Sequence, residues 1–272
     1  MELKGRTVFI TGAASGIGFG MAQAFLDAGS NVVLTDLDEA RLQLAQEELG
    51  GGERVVTAVL DVGSLDAWQH AVEMATQAFG SVDVLCANAG LHSVGWDLDE
   101  VTPEVWDLVI RTNLTGTYLG IRSVLPLMKA SGRPAHVVIT SSLAGVRAMP
   151  KNGPYVATKH ALVGLADALR AELAETPIGV SLLIPGYVPS SINQNSERLR
   201  VEVGSEAGPD LDALTKRAAP REESARDVGQ MVVDAVSTSA FYIVTHPEHA
   251  PAIAARNAEL LAAFGQPDPL SS

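Results

Sequence analysis

Hydrophobic and polar positions change their period several times along the chain. Short runs rich in β-branched residues predict strands, and longer stretches with apolar residues three or four positions apart predict helices. The predicted strands lie near 6–11, 31–36, 54–60, 82–87, 134–141, 178–184 and 241–245. The predicted helices lie near 16–29, 38–49, 64–79, 102–131, 154–177, 224–239 and 249–264. Strands that alternate with helices are typical of a parallel sheet covered by helices on both faces.

The pattern is continuous enough to predict a single domain over residues 1–272, since it contains no repeat and no low-complexity tract. Two segments stand apart from it. Residues 189–221 are polar, contain Pro and Gly, and predict an excursion from the core that acts as a substrate flap. Residues 246–272 predict a C-terminal helical tail.

Composition narrows the classes of partner. The apolar fraction of 47% allows a large core, and the net charge of −13 disfavours nucleic acid and anionic lipid. No run has the length of a membrane span, and the first residues lack the apolar core of a signal peptide. The one cysteine, Cys86, lies in an apolar run and is expected to be a buried strand residue. We therefore expect a cytoplasmic protein that binds neither nucleic acid nor membrane.

The segment TGAASGIG, residues 11–18, directly follows the first predicted strand. Glycines between a strand and a helix allow a tight turn and the close approach of a ligand to the backbone. The free N–H groups and the dipole of the helix that follows favour a phosphate. Gly12, Gly16 and Gly18 are therefore candidates for a pyrophosphate cradle, with an ordinary glycine-rich turn as the alternative.

The end of the second strand indicates which dinucleotide is used. Asp36 lies 18 residues after Gly18, where an acidic side chain can accept hydrogen bonds from ribose hydroxyls and repel a 2′-phosphate. The glycine loop contains no Lys or Arg, and Leu37 and Asp38 follow the acidic residue. These features favour NAD over NADP.

The segment PYVATK, residues 154–159, contains a candidate proton-transfer pair. Pro154 suits the first turn of a helix, which places Tyr155 and Lys159 on one helical face. A free tyrosine has a pKa of about 10, and a nearby ammonium lowers it. The pair can take a proton from an alcohol or return one to a carbonyl oxygen, although a surface pair on a helix gives the same pattern.

Two further residues complete a known constellation. Ser142 lies 13 residues before Tyr155 at the end of a predicted strand, and Asn113 lies in the helical pattern WDLVIRTNLTG. With these motifs the chain resembles the single-domain short-chain dehydrogenases/reductases over roughly residues 5–245. Further family elements match at Asn88-Ala89-Gly90, Asp61-Val62 and Pro185-Gly186.

The resemblance implies a doubly wound Rossmann fold with seven parallel strands, and it implies roles for four residues. Tyr155 would be the acid/base, and Lys159 would bind the nicotinamide ribose and lower the pKa of Tyr155. Ser142 would polarise the substrate oxygen, and Asn113 would hold a water that links Lys159 to a proton path. The family also suggests a homotetramer.

Cofactor and substrate contacts are implied in the same way. The implied NAD contacts are Gly12, Ser15, Gly16, Ile17, Gly18, Asp36, Leu37, Asp61, Val62, Asn88, Ala89, Gly90, Tyr155, Lys159, Val188 and Ser190. The implied substrate contacts are Ser142, Leu143, Met149, Tyr155, Tyr187, His92 and Ile192. Ser190 stands where the family usually has a threonine, so the hydroxyl is kept.

The function expected from these residues is hydride transfer between NAD and a small hydrophobic secondary alcohol or ketone. Three local segments resemble dehydrogenases that oxidise the benzylic Cα alcohols of lignin-type aryl ethers: 18–20, 131–136 and 242–248. Steroid-type and cyclic alcohols remain open as substrates.

Other readings of the sequence are weaker. A silent NAD-binding sensor or scaffold would be free to lose Tyr155 or Lys159, and both are present. A sugar-nucleotide epimerase of the longer branch would need a larger C-terminal region, and an enoyl reductase a wider Tyr-to-Lys spacing. His246 and His249 have a metal-like spacing but lack a third ligand, so no metal is expected.

Overall fold

A seven-stranded parallel sheet forms the centre of the computed structural model, which describes residues 1–202, 204 and 222–265. The strands are β1 Thr7–Thr11, β2 Asn31–Asp36, β3 Val55–Val59, β4 Val84–Ala87, β5 Ala135–Thr140, β6 Ile178–Ile184 and β7 Tyr242–Val244. Their spatial order is β3-β2-β1-β4-β5-β6-β7, and every neighbouring pair is parallel. The predicted Rossmann sheet is therefore confirmed.

Helices cover both faces of this sheet. They are α1 Gly16–Asp27, α2 Glu39–Leu49, α3 Leu65–Phe79, α4 Pro103–Val109, α5 Gly116–Ser131, α6 Gly153–Glu172, α7 Ile192–Glu202, α8 Ala225–Thr238 and α9 Ala250–Ala263. One core cluster joins the sheet to α1 and α8 through Phe25 and Val232. The other joins it to α3, α5 and α6 through Trp68, Val124 and Leu162. Cys86 is fully buried in β4, as predicted.

The predicted helix over 102–131 is not continuous. A π-helical turn, Ile110–Thr115, separates α4 from α5 and contains the candidate residue Asn113. Such a turn adds a residue to the helical repeat, and it is often found at functional sites. The pattern of apolar positions does not reveal this turn, because apolar residues are buried in the helices on both sides of it.

The predicted helix over 154–177 was too long at its C-terminus. It ends at Glu172, five residues before Pro177. Proline has no N–H for a helix, and it disfavours helical backbone at the preceding residue. The chain uses the intervening residues to turn back into β6.

The predicted flap contains a helix that the sequence pattern did not predict. In α7 the buried positions are the polar residues Asn193, Ser196 and Arg200, spaced three and four residues apart. A search for apolar periodicity misses a helix whose inner face is polar. Residues 203 and 205–221 of the predicted flap, and 266–272 of the predicted tail, lie outside the described residues.

None of the helices in the described ranges is long and apolar enough to cross a membrane.

Candidate active site

A cavity of about 830 Å³ lies at the carboxyl ends of the central strands. The chain leaves β1 toward β2 on one side and later returns at β4 on the other, so the strand order reverses beside β1. In open parallel sheets ligands bind at this place. Predicted cofactor residues in its wall are Gly12, Ser15, Ile17, Asp36, Asn88, Ala89, Gly90, Val188 and Ser190. Predicted catalytic and substrate residues in its wall are Ser142, Tyr155, Lys159, Leu143, Met149, Tyr187, His92 and Ile192.

The glycine loop forms one end of this cavity with bare backbone. Gly12 and Gly16 have φ values of +63° and +52°, which residues with a Cβ rarely adopt. A Cβ on Gly16 would overlap the side chain of Ser190, and one on Gly18 would overlap the carbonyl of Gly12. Since α1 begins at Gly16, its first N–H groups are free for a ligand. The loop therefore fits the pyrophosphate of a dinucleotide.

Asp36 lies in the wall at the same end. Its carboxylate accepts the N–H groups of Ala14 at 3.4 Å and Asp38 at 3.3 Å. Burial raises the pKa of this carboxyl, while the two backbone N–H groups act in the opposite direction. The side chain is held by the glycine loop and by its own strand end, where it fits a ribose diol.

Some predicted cofactor residues do not lie in the cavity wall. Leu37 is exposed and Val62 is buried. The carboxylate of Asp61 binds the guanidinium of Arg111 and accepts the N–H of Gly63 at 2.9 Å. The structure thus does not bring these three side chains to the cavity, and their cofactor roles remain predictions.

Three side chains meet where β5 ends and α6 begins. Tyr155 and Lys159 share a face of α6, with the Lys159 ammonium nitrogen 5.4 Å from the centre of the tyrosine ring. The Ser142 side chain lies close enough to the phenol of Tyr155 to lower its pKa. Ser141 points the other way and donates to the Lys159 carbonyl oxygen at 2.8 Å, while the Lys159 Nζ donates to the Thr140 carbonyl oxygen at 2.9 Å. Ser142, the serine 13 residues before Tyr155, is thus the one whose side chain lies by the phenol.

Burial dominates the ionisation of this pair. It raises the pKa of Tyr155 to about 12, against a smaller lowering by the Ser142 hydrogen bond. It lowers the pKa of Lys159 to about 7. The net pKa of Tyr155 in the protein alone is therefore raised, because loss of solvation disfavours both charged forms, and the prediction that Lys159 lowers it stays a prediction.

Asn113 lies behind the cavity wall, fully buried in the π-helical turn. Its amide oxygen accepts the N–H of Leu91 at 2.7 Å. Its amide nitrogen donates to the Leu91 carbonyl at 3.0 Å and to the Thr158 hydroxyl at 3.1 Å. Asn113 thus fastens the loop after Gly90 to α6, and its predicted water-holding role remains a prediction.

The residues that anchor the start of α6 were not predicted from the sequence. The Ser93 hydroxyl donates to the Asn152 side-chain oxygen at 3.0 Å and accepts the backbone N–H of Tyr155 at 3.1 Å. The sequence Asn152-Gly153-Pro154 is a recognisable helix start, so Asn152 was accessible to sequence reasoning. Nothing in the sequence pairs it with Ser93, which lies 59 residues away.

His92 packs directly against Tyr155. The ring centroids are 4.2 Å apart. The backbone N–H of His92 donates to the Ser196 hydroxyl of α7 at 2.9 Å. Burial, helped by the charges of Lys159 and Arg200, lowers the pKa of His92 to about 4. The ring is therefore neutral at physiological pH.

His246 and His249 lie in the cavity wall, with ring centroids 6.4 Å apart. The Nδ1 atom of His246 accepts the N–H of Gly186 at 3.2 Å, so this side chain helps to hold the loop after β6. Within the described ranges, no group of three or more potential metal ligands is present.

Comparisons with known proteins agree with this geometry. Residues 6–200 match the family model described as short chain dehydrogenase. A C alpha-dehydrogenase from Sphingobium sp. strain SYK-6 is 32% identical over 256 residues, which are 91% of this chain and 82% of that protein. A 1-deoxy-11-beta-hydroxypentalenate dehydrogenase from Streptomyces exfoliatus is 32% identical over 250 residues, which are 91% and 86% of the two chains.

Among solved structures, a short chain dehydrogenase/reductase from Burkholderia phymatum in complex with NAD is similar over 100% of both chains. The TM-score is 0.89 and the sequence identity 32%. The family resemblance drawn from the motifs is confirmed by these matches, and so is the resemblance to C-alpha dehydrogenases.

Proposed function

The chain belongs to the short-chain dehydrogenase family, and we propose that within this family it is an NAD-dependent dehydrogenase of hydrophobic secondary alcohols. An oxidoreductase activity on CH–OH groups with a nicotinamide dinucleotide follows from the family itself. The finer proposal rests on one observation. Ser142, Tyr155 and Lys159 converge in a cavity whose other end is the glycine cradle.

Each of these three side chains has a distinct task in the proposed oxidation. Ser142 holds the substrate oxygen, and Tyr155 removes the hydroxyl proton through its phenol oxygen. Bound NAD would supply the acceptor for the hydride that leaves the carbinol carbon. The products are a ketone, reduced cofactor and a protonated Tyr155.

The proposed step requires the phenolate of Tyr155, although burial alone disfavours that form. A positive charge close to the phenol favours the phenolate. Lys159 supplies one such charge, and the oxidised nicotinamide ring would supply another. Because the pKa of Lys159 is about 7, its contribution depends on pH in the neutral range.

The preference for NAD rests on Asp36. Its carboxylate lies at the cradle end of the cavity, where the N–H groups of Ala14 and Asp38 hold it. A 2′-phosphate at this place would face a negative charge, whereas two ribose hydroxyls would find an acceptor.

We infer a hydrophobic substrate from the part of the cavity wall that lies away from the glycine loop. The apolar side chains in that wall are Val94, Leu143, Ala148, Met149, Pro150 and Ile192. The relatives named C alpha-dehydrogenase and 1-deoxy-11-beta-hydroxypentalenate dehydrogenase make alcohol oxidation the natural direction to test first.

We also retain two predictions about the protein in the cell, a homotetramer and a cytoplasmic location. Exposed apolar side chains on α4, α5 and β7 support assembly: Trp106, Tyr118, Leu127, Tyr242 and Val244. Sedimentation of the purified protein would test the tetramer directly.

Initial rates of NAD reduction with aryl, steroid and alicyclic secondary alcohols test the proposed function. We expect turnover of at least one class, and a clear preference for NAD over NADP. If NAD binds tightly while every class of alcohol fails, the protein is a cofactor-binding sensor or scaffold and the proposal is wrong.

A further inference from the structure

We propose that the alcohol substrate also carries a carboxylate, and that Arg147 binds this group at the mouth of the cavity. The inference rests on the proposed function and names the substrate class more closely. The substrate would be a hydroxy acid with an apolar body.

The charges in the cavity wall are distributed unevenly. Of the described wall residues only Asp36 is acidic, and it lies at the cradle end. Around Ser142 and Tyr155 the charged wall residues are Arg147, Lys151 and Lys159. This local excess of positive charge occurs in a chain whose net charge is −13. A site of this kind attracts anions against the field of the whole protein.

Among the described cations of this wall, Arg147 is the one whose side chain has no partner. Lys159 donates to Thr140, and the Lys151 ammonium binds the Asp97 carboxylate at 2.8 Å. The Arg147 side chain has no hydrogen bond or ion pair within the described ranges, although most other arginines there pair with an aspartate. A free guanidinium at a cavity mouth is suited to two-pronged binding of a carboxylate.

The backbone of Arg147 is fixed relative to the catalytic group. Its N–H donates to the Leu143 carbonyl at 2.9 Å, and the Leu143 N–H donates to the Pro185 carbonyl at 2.9 Å. These bonds close the short turn that follows Ser142. The arginine therefore starts from a fixed point five residues beyond the side chain that would hold the substrate oxygen.

A second buried cation lies on the α7 side of the same end. Arg200 is 1% exposed, stacks on Trp96 at 4.5 Å, and has no hydrogen-bond partner for its three guanidinium nitrogens in the described part of the chain. It shares a helix face with Asn193, which lines the cavity. Glu197 offsets part of this charge, but a buried cation without hydrogen-bond partners still makes the surrounding region more favourable for an anion.

Arg256 of α9 lies next to this turn, since its guanidinium donates to the Val146 carbonyl at 3.4 Å. Positive side chains thus approach the mouth from the turn after β5 and from the C-terminal helix. Among the cations that the structure describes, only Arg147 both lines the cavity and has an exposed side chain without a partner.

The test compares two probes that differ only in the anionic group. We would measure kcat/KM for NAD-dependent oxidation of para-(α-hydroxyethyl)benzoate and of its methyl ester. The proteins would be wild type, Arg147→Gln, Arg147→Lys and the control Lys4→Gln. Lys4 precedes β1 and is exposed, so its variant changes the net charge equally at the opposite end of the strands.

We expect the wild type to prefer the acid over the ester by about tenfold or more, as for hydrogen bonds to charged groups. Arg147→Gln should remove most of this preference through a higher KM for the acid and leave the ester unchanged. Arg147→Lys should retain part of the preference, Lys4→Gln all of it, and added salt should weaken it.

Equal use of acid and ester by the wild type would overturn the inference, and so would an acid preference that survives Arg147→Gln. In both cases turnover of the ester leaves the proposed function intact. If no secondary alcohol is oxidised at all, the proposed function fails and the carboxylate inference fails with it.

Discussion

Replacing Lys159 with methionine should stabilise the protein at neutral and acid pH while it impairs catalysis. Lys159 is 3% exposed, and burial lowers its pKa from the ordinary 10.5 to about 7. Between these values the unfolded chain binds a proton that the folded chain does not hold. Stability therefore rises with pH across this window, and the cost of the buried ammonium is fully present below pH 7.

The expected size follows from the two pKa values. A difference of three to four pKa units corresponds to about 5 kcal/mol of unfolding free energy. Methionine has a similar length and no charge, so it removes this cost. It also removes the hydrogen bond to the Thr140 carbonyl and leaves that oxygen unpaired, which costs about 1–3 kcal/mol. The variant should thus be more stable by about 2–4 kcal/mol at pH 6.

Urea unfolding followed by tryptophan fluorescence measures this difference at pH 6 and near pH 10, with both proteins at one concentration. The advantage of Lys159→Met should shrink as the pH rises, and it should reverse once the wild-type lysine is neutral in both states. A stability difference that does not change with pH, or a variant that is less stable at pH 6, would show that burial of the Lys159 ammonium does not destabilise the fold.

Three further outcomes follow from single contacts. Asp36→Asn should weaken NAD binding by about tenfold or more and improve the use of NADP, while the neighbouring Glu39→Gln changes neither; fluorescence titration with both cofactors measures this. His92→Phe keeps a ring against Tyr155 but removes a group whose folded pKa is about 4. The wild type should lose stability as the pH falls from 6.5 to 4, and the variant should lose about 3 kcal/mol less. Urea unfolding at both pH values measures this, and an equal loss in the two proteins would contradict it. Ser93→Ala leaves the Tyr155 N–H unpaired at the start of α6 and should cost about 1 kcal/mol of unfolding free energy with a fall in kcat; unchanged stability and kcat would argue against an anchoring role.

The sheet and most helices were predictable because their inner faces are apolar. The run that forms β6 is buried along almost its whole length, so its apolar pattern sufficed. Helix α7 was not predictable in this way, since the side chains on its inner face are Asn193, Ser196 and Arg200. The π-helical turn around Asn113 escaped for another reason. It changes the hydrogen-bond step without changing which residues are apolar.

The site was predictable to the extent that its chemistry is local in sequence. The glycine loop and the Tyr155–Lys159 pair are each contained in one short segment. The upward shift of the Tyr155 pKa was not predictable, because it depends on burial by elements far apart in the chain. The contact between Arg111 and Asp61 also joins distant segments, and it is the reason that the Asp61 carboxylate is already engaged.

Tyr155→Phe tests the central claim most directly. The substitution keeps the ring packed against His92 and removes only the oxygen that carries the transferred proton. With an alcohol that the wild type oxidises, NAD reduction should fall by about a thousandfold or more, while titration shows unchanged NAD binding. Near-normal turnover by Tyr155→Phe would contradict the account, because another group would then have to accept the proton.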